Sequence, residues 1–408
     1  MSYDLIVRNA RLRSGKACDI AIARGRIEAI AEKIGGSARK EIDAQHKLVT
    51  ESFVIAHLHL DKVMTGSLAE DDTLRQYQGG GMGGTMSAIE MASKVKEHYV
   101  ESEILENVRK ILAEAEYNGV SHIRAFADVD MKAKLTGVRA LLKAREEFKD
   151  RVTLQVVAFP QDGIIRDPGT EELLYKSMDL GADIVGGIPW IEYTNDDMKR
   201  HIDIAFEIAK KYNRDIAMLT DDAGDPELRT TEYLATSAIK NHWAGRVAAC
   251  HARATCLYNE VYHRKFCALL KKAAVGVVSD PQTGPLHVRV KDLLDAGVAV
   301  ALGQDDVYDA YYAYGRCNML EIAFLASHLL WMMTRQDREL LYDMITLNPA
   351  KIMRIEPYGL RAGNPADLII LKAQDLREAF AYHSEPTYVI RNGAVRCETS
   401  SRRISHLT

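Results

Sequence analysis

The chain has 408 residues, of which 47% are hydrophobic, and a formal net charge of −4. This composition supports a large buried core and excludes a disordered chain, and the length suits one barrel-sized domain with a minor module. No basic stripe suggests a nucleic-acid footprint, and no apolar run reaches the ~20 residues a membrane-spanning helix needs.

Residues 1–52 alternate apolar and polar positions in YDLIVRNARL, CDIAIARGRIEAI and EIDAQHKLVTESFVIAH. Period-two patterning broken by Arg, Gly and Asn predicts short antiparallel strands and hairpins. The start is polar and lacks the basic segment and long apolar core of a signal peptide. Cys18, Cys250, Cys256, Cys267, Cys317 and Cys397 form no CxxC pair, which suits free thiols and a cytoplasmic protein.

Residues 53–350 alternate strand and helix patterns. The strand candidates are FVIAHLHL, SHIRAFADV, TLQVVAFP, ADIVGGIP, RDIAMLTD, GRVAACHA, AVGVVSDP and VAVALGQDD. Helix patterns between them include SEILENVRKILAEAEYNG, TGVRALLKAREEFKD, MKRHIDIAFEIAKKYN and VRVKDLLDAG. Roughly eight β-then-α units predict an α/β fold of the closed (β/α)8, TIM-barrel type, whose chemistry sits at the strand C-termini. His57, Asp128, Gln161, Asp222, His251, Asp280 and Asp305 all fall there. GGGMGG at 79–84 lacks the Lys-Ser/Thr of a phosphate loop and reads as a loop near the barrel mouth. HLLWMM at 328–333 reads as buried helix, with an interface patch as the alternative.

Residues 351–408 return to strand language in ADLIILKAQ and TYVIRNGAVRCE, with a hairpin signal at Asn392-Gly393. The two β-rich ends are expected to combine into one small β-sandwich. Arg402 and Arg403 read as solvated surface.

His57 and His59 sit two apart on one strand, so both side chains take the same face. Two imidazoles on one face suit a divalent transition metal, against the alternative of two structural histidines. His251 closes another strand and could serve the metal, a substrate oxygen or only the core. Asp305 suits a ligand and proton shuttle, or else a helix cap. Asp306 could cap a helix, orient a neighbour or touch substrate. Tyr311, in YDAYYAYG, offers an aromatic face to a flat ring or packs the barrel rim.

These pieces, with LQVVAFPQDGI, GADIVGGIPWIEYT, GQDDVYDAYYAYGRCNML and YGLRAGNPADLIIL, resemble the amidohydrolase superfamily over nearly the whole chain. Within it they resemble the branch holding cytosine deaminase and N-isopropylammelide amidohydrolase. The resemblance implies His57, His59 and Asp305 as metal ligands, His251 as a contact to hydrated metal or substrate, Asp222 as the ring-protonating acid and Gln161 as a substrate contact. Leu219 stands where the family carries a third histidine ligand, and Gln304 where a further histidine is common.

Three outcomes are open: Asp221 replaces the missing ligand, His251 takes up full coordination, or the metal is lost and the barrel binds ligand without catalysis. The expected cofactor is one divalent transition metal ion, Zn or Fe with Mn also compatible. The strand-four end carries no lysine that could bridge a second metal. The resemblance implies a hydrolase attacking a C–N bond of a small nitrogen heterocycle and releasing ammonia or an amine. Lys62 in HLHLDK resembles the isopropylammelide enzyme, so an amine-bearing triazine or pterin-like ring, or a cyclic amide, is the alternative substrate. A homo-oligomer without nucleic-acid or membrane partners is expected.

Overall fold

The computed structural model describes residues 2–68, 75, 89–90 and 92–400. The glycine-rich segment at 79–84 and the Arg402-Arg403 pair lie outside the described residues. The first sheet contains β1 (Ser2–Arg11), β2 (Ala17–Ala23), β3 (Arg26–Ala31) and β4 (Ser37–Asp43), in the order β3-β2-β1-β4. The hairpins β1–β2 and β2–β3 are antiparallel as expected, but β4 runs parallel to β1. Alternation specifies which face a strand buries and is silent on its direction, so the sequence pattern misses this pairing.

β5 (Val49–Glu51) precedes the barrel, and its sheet partners lie far along the chain. The barrel strands are β6 (Phe53–His59), β7 (Val120–Asp128), β8 (Thr153–Phe159), β9 (Ile184–Gly187), β10 (Asp215–Thr220), β11 (Val247–His251), β12 (Gly276–Ser279) and β13 (Val300–Leu302). They form one eight-stranded sheet in chain order, with parallel pairing between neighbours. β14 (Leu368–Ile370), β15 (Tyr388–Arg391) and β16 (Ala394–Glu398) complete a third sheet with β5, in the order β16-β15-β14-β5. Leu5, Val7, Ile20 and Ile22 from the N-terminus share one buried cluster with Leu368, Ile370 and Ile390, which makes the two ends a single sandwich. The hairpin between β15 and β16 turns at Asn392 (φ 48°) and Gly393 (φ 74°), the left-handed pair a tight two-residue turn demands.

Two apolar layers hold the barrel. Inside it, Val54, Phe126, Val157, Phe159, Ile184, Ala217 and Ala248 pack together. Outside, the strands meet helices whose apolar residues recur at helical spacing, such as Ile104, Leu105, Val108, Ile111, Leu112 and Ala115 in Glu101–Tyr117. Strands buried on both faces are near-continuously apolar, which is why each was readable as a short run. Each fully buried Val, Leu or Ile contributes ~1.5–3 kcal/mol.

The HLLWMM segment departs from the buried-helix expectation. Met332 is buried, while Trp331 is 81% exposed beside exposed Leu329 and Met333. The helix Met319–Leu329 ends there, and Trp331 takes left-handed backbone with φ 53°.

The barrel closes at its C-terminal mouth. Leu58 and Asp305 form a parallel bridge: His59 N donates to Asp305 O at 2.7 Å, and Asp305 N donates to His57 O at 3.1 Å. The same backbone bonds that shut the sheet therefore seat three of the candidate site residues.

Candidate active site

Strand alternation sends His57 and His59 to one face, with ring centroids 4.9 Å apart. His251, at the end of β11, brings its ring to 5.1 Å from that of His57. All three turn Nε2 toward Asp305 Oδ1, at 3.0 Å for His57, 3.8 Å for His59 and 3.5 Å for His251. Asp305 does not cap a helix; the chain after it is irregular until Met319. His251 (φ 63°) and Asp305 (φ 66°) both hold left-handed backbone, which non-glycine residues keep only where the surroundings enforce it.

This donor set fits a divalent metal. Ligand atoms of His57, His251 and Asp305 lie within 4.8 Å of one another, as do those of His59, Asp305 and Asp306. Imidazole nitrogens with a carboxylate oxygen are the set that Zn or Fe takes. Burial, then the charge of Lys62, drives the His59 pKa well below its ordinary value, leaving the neutral ring that a ligand must be. Burial alone would raise Asp305, but His251 and His57 more than reverse it and hold the carboxyl well below the usual range. Burial lowers His251, and Asp222 with Asp305 outweighs it, so the ring is raised to about 9.

Asp221 is not near these donors, contrary to the expectation that it replaces the missing ligand. β10 ends at Thr220, and Asp221 takes φ 47°, so the strand alternation that would align it with Leu219 stops one residue short. Its carboxylate instead accepts from Thr230 N at 2.7 Å and Thr231 N at 3.1 Å, at the start of the helix Thr230–Lys240. Leu219 does line the cavity and belongs to the barrel's inner apolar cluster.

Asp222 lines the cavity and pairs with Arg253, a residue the sequence reading passed over. Arg253 is buried, with Nε 3.0 Å from Asp222 Oδ1. Its Nη2 donates to His251 Nδ1 at 3.0 Å and to Thr283 Oγ1 at 2.8 Å. A guanidinium has no lone pair, so His251 Nδ1 accepts and Nε2 carries the ring proton toward Asp305. That donor opposes full protonation of the ring, which the carboxylates favour. No signal beyond its place two residues after His251 could have singled out Arg253.

Asp280, at the end of β12, sits behind the site with Oδ2 3.7 Å from His251 Nδ1. Burial and then Asp305 raise its pKa to about 6. Gly303 permits this approach: a Cβ there would meet Asp280 Oδ1 at 2.0 Å. On the far wall, Gln161, Asp306 and Tyr311 line the cavity. Asp306 caps no helix; burial, then Asp305 and Asp309, pushes its pKa well up. Asp309 in turn accepts from Tyr311 N at 2.9 Å and Tyr312 N at 3.0 Å, which fixes the tyrosine loop. Gln304 donates to Asp306 O at 3.2 Å and reaches none of the histidines.

A (β/α)8 barrel with imidazoles and an aspartate at its C-terminal mouth is the architecture of metal-dependent hydrolases. The family model "Amidohydrolase family" matches residues 40–396, and the chain belongs to that family. It is a hydrolase of carbon–nitrogen bonds. It is 32% identical over 397 residues to N-isopropylammelide isopropyl amidohydrolase of Pseudomonas sp. (strain ADP), covering 96% of this chain and 97% of that one. Pterin deaminase of Rhizobium rhizogenes is 26% identical, covering 92% of this chain and 87% of its own. The structure of 5-methylcytosine deaminase from Klebsiella pneumoniae with 5-fluorocytosine superposes with TM-score 0.90 at 29% identity, over 98% of this chain and 99% of that one.

Proposed function

We propose that the chain is a metal-dependent hydrolase attacking a nitrogen-bearing carbon of a small heterocycle and releasing ammonia or an amine. The observation that carries this reading is the convergence of His57, His59 and His251 on Asp305 Oδ1. A divalent ion held by His57, His59 and Asp305 would supply an acidified water at neutral pH, with His251 beside it. Asp305 takes the proton of the attacking water. Asp222 carries a proton to a ring nitrogen, and His251, oriented through Nδ1 by Arg253, donates from Nε2 to the oxygen on which charge develops. Gln161 and Tyr311 hold the ring, and Asp306 closes the wall beside them. Asp221, committed to a helix start, does not replace the third ligand lost at Leu219, which leaves three protein ligands and open positions for water and substrate.

Leu219 favours a rival: a barrel that keeps the cavity, binds a heterocycle and has lost the metal. One experiment separates the two. Purified protein reconstituted with Zn, Fe or Mn is incubated with cytosine, 5-methylcytosine, N-isopropylammelide and pterin, and released ammonia or isopropylamine is measured. The proposal expects turnover of at least one ring, reduced ~10²–10⁴-fold by Asp305→Ala. Binding without turnover under every metal supports the rival.

Among the described residues no helix is long and apolar enough to cross a membrane. The six free cysteines suit a reducing compartment, and we read the enzyme as cytoplasmic. A homo-oligomer remains part of the proposal, with Leu329, Trp331 and Met333 as its exposed apolar surface.

A further inference from the structure

Gln161 and Tyr311 line both the site cavity and a smaller buried space beside it. Lys62 lies on the side of that second space. Its Nζ stands 3.1 Å from Gln161 Oε1 and 3.1 Å from Asp128 Oδ1, with the Tyr311 ring centroid 5.7 Å away. Lys62 is buried, and its anchor is itself anchored. Asp128 faces Lys96 at 3.7 Å, and Lys96 binds Asp130 at 2.6 Å and Asp162 at 2.7 Å.

An ammonium has three hydrogens and no lone pair, so the atom of the Gln161 carboxamide that faces Lys62 is the oxygen. A glutamine with both ends free can flip and serve a donor or an acceptor. Here Oε1 is taken, and Nε2 is left without a hydrogen-bond acceptor among the described residues.

We infer that Lys62 is a positioning residue that sets substrate choice by locking the Gln161 amide with its Nε2 hydrogens offered to the ring. The ring selected is one that presents a lone pair there, as an oxo oxygen or an unprotonated ring nitrogen. An amino group at that position sets donor against donor and leaves both unpaired in a buried site. This inference rests on the heterocycle reading above and adds the identity of the group opposite Gln161.

The test is equilibrium binding of cytosine and 2,4-diaminopyrimidine, which differ in oxo against amino at ring carbon 2. Wild type should prefer cytosine by at least about tenfold. Lys62→Met frees the amide, and the preference should fall below about threefold. Gln161→Glu keeps one oxygen on Lys62 and offers the other to the pocket, so the preference should reverse; this variant also serves if Lys62→Met does not fold. Equal binding by wild type, an undiminished preference in Lys62→Met, or an unreversed one in Gln161→Glu overturns the role of Lys62. Wild type that binds neither of these pyrimidines, nor N-isopropylammelide, nor pterin overturns the heterocycle reading itself.

Discussion

Replacing Arg253 with Met removes one cation from three partners at once. Asp222 Oδ1 at 3.0 Å loses its ion-pair partner, and His251 Nδ1 at 3.0 Å and Thr283 Oγ1 at 2.8 Å lose a donor. The side chains of Arg253 and Asp222 are only 2% and 10% exposed, so solvent cannot take over the carboxylate. Breaking a buried pair by deleting one partner costs about 3–5 kcal/mol, because a buried charge is left unmatched. Against a total stability of about 5–15 kcal/mol that loss is large. Asp222→Asn with Arg253→Met removes the orphaned charge, so the double variant should recover about 1–3 kcal/mol relative to the sum of the singles. Urea unfolding of wild type, both singles and the double, followed by circular dichroism with chelator present, measures this cycle. The chelator keeps metal binding from contributing to the apparent stability. Arg253→Met within about 1 kcal/mol of wild type, or strictly additive singles, would refute the buried-pair argument.

Asp221→Ala should cost about 0.5–2 kcal/mol, the loss of an N-terminal cap, and leave metal content unchanged; loss of metal would restore Asp221 as a ligand. Leu219→His adds an imidazole to the cavity wall, and metal should then resist a competing chelator longer than in wild type; faster loss would mean that position 219 does not face the ion. His122, at the start of β7, is driven by burial and then Arg391 down to about 3. Its folded pKa lies below the unfolded value, so the unfolded chain binds the extra proton. The stability it contributes is complete above about pH 6.5 and is lost as pH falls toward 3, by up to about 1.4 kcal/mol per pH unit. His122→Asn should flatten that acid limb in pH-dependent urea unfolding, and an unchanged slope would show that His122 is not its source.

Much of this was legible because buried parallel strands advertise themselves. β6 to β13 are short apolar runs, and His57, Gln161, His251, Asp280 and Asp305 lie at or just after the ends of theirs, so chain order alone brings them to one mouth. What escaped depended on backbone turns and partners remote in sequence. Asp221, one of the three outcomes open for the missing ligand, turns away from the site because β10 ends at Thr220 and φ turns positive at Asp221. Arg253 was passed over because an isolated arginine reads as surface charge; only the fold shows Asp222, His251 and Thr283 around it. Lys62 stands in the HLHLDK motif, but its effect on Gln161 requires the ends of β6 and β8 to meet across β7. Direction of pairing, as in β4 against β1, has no signature in alternation.

The central claim is that the site holds a metal without the third histidine. Elemental analysis of the purified protein before and after reconstitution with Zn, Fe or Mn tests it directly, beside His57→Ala and Asp305→Ala. The account predicts close to one ion per wild-type chain, retained through dialysis and lost in both variants. A wild-type protein that takes up no metal, or variants that retain it in full, would contradict it.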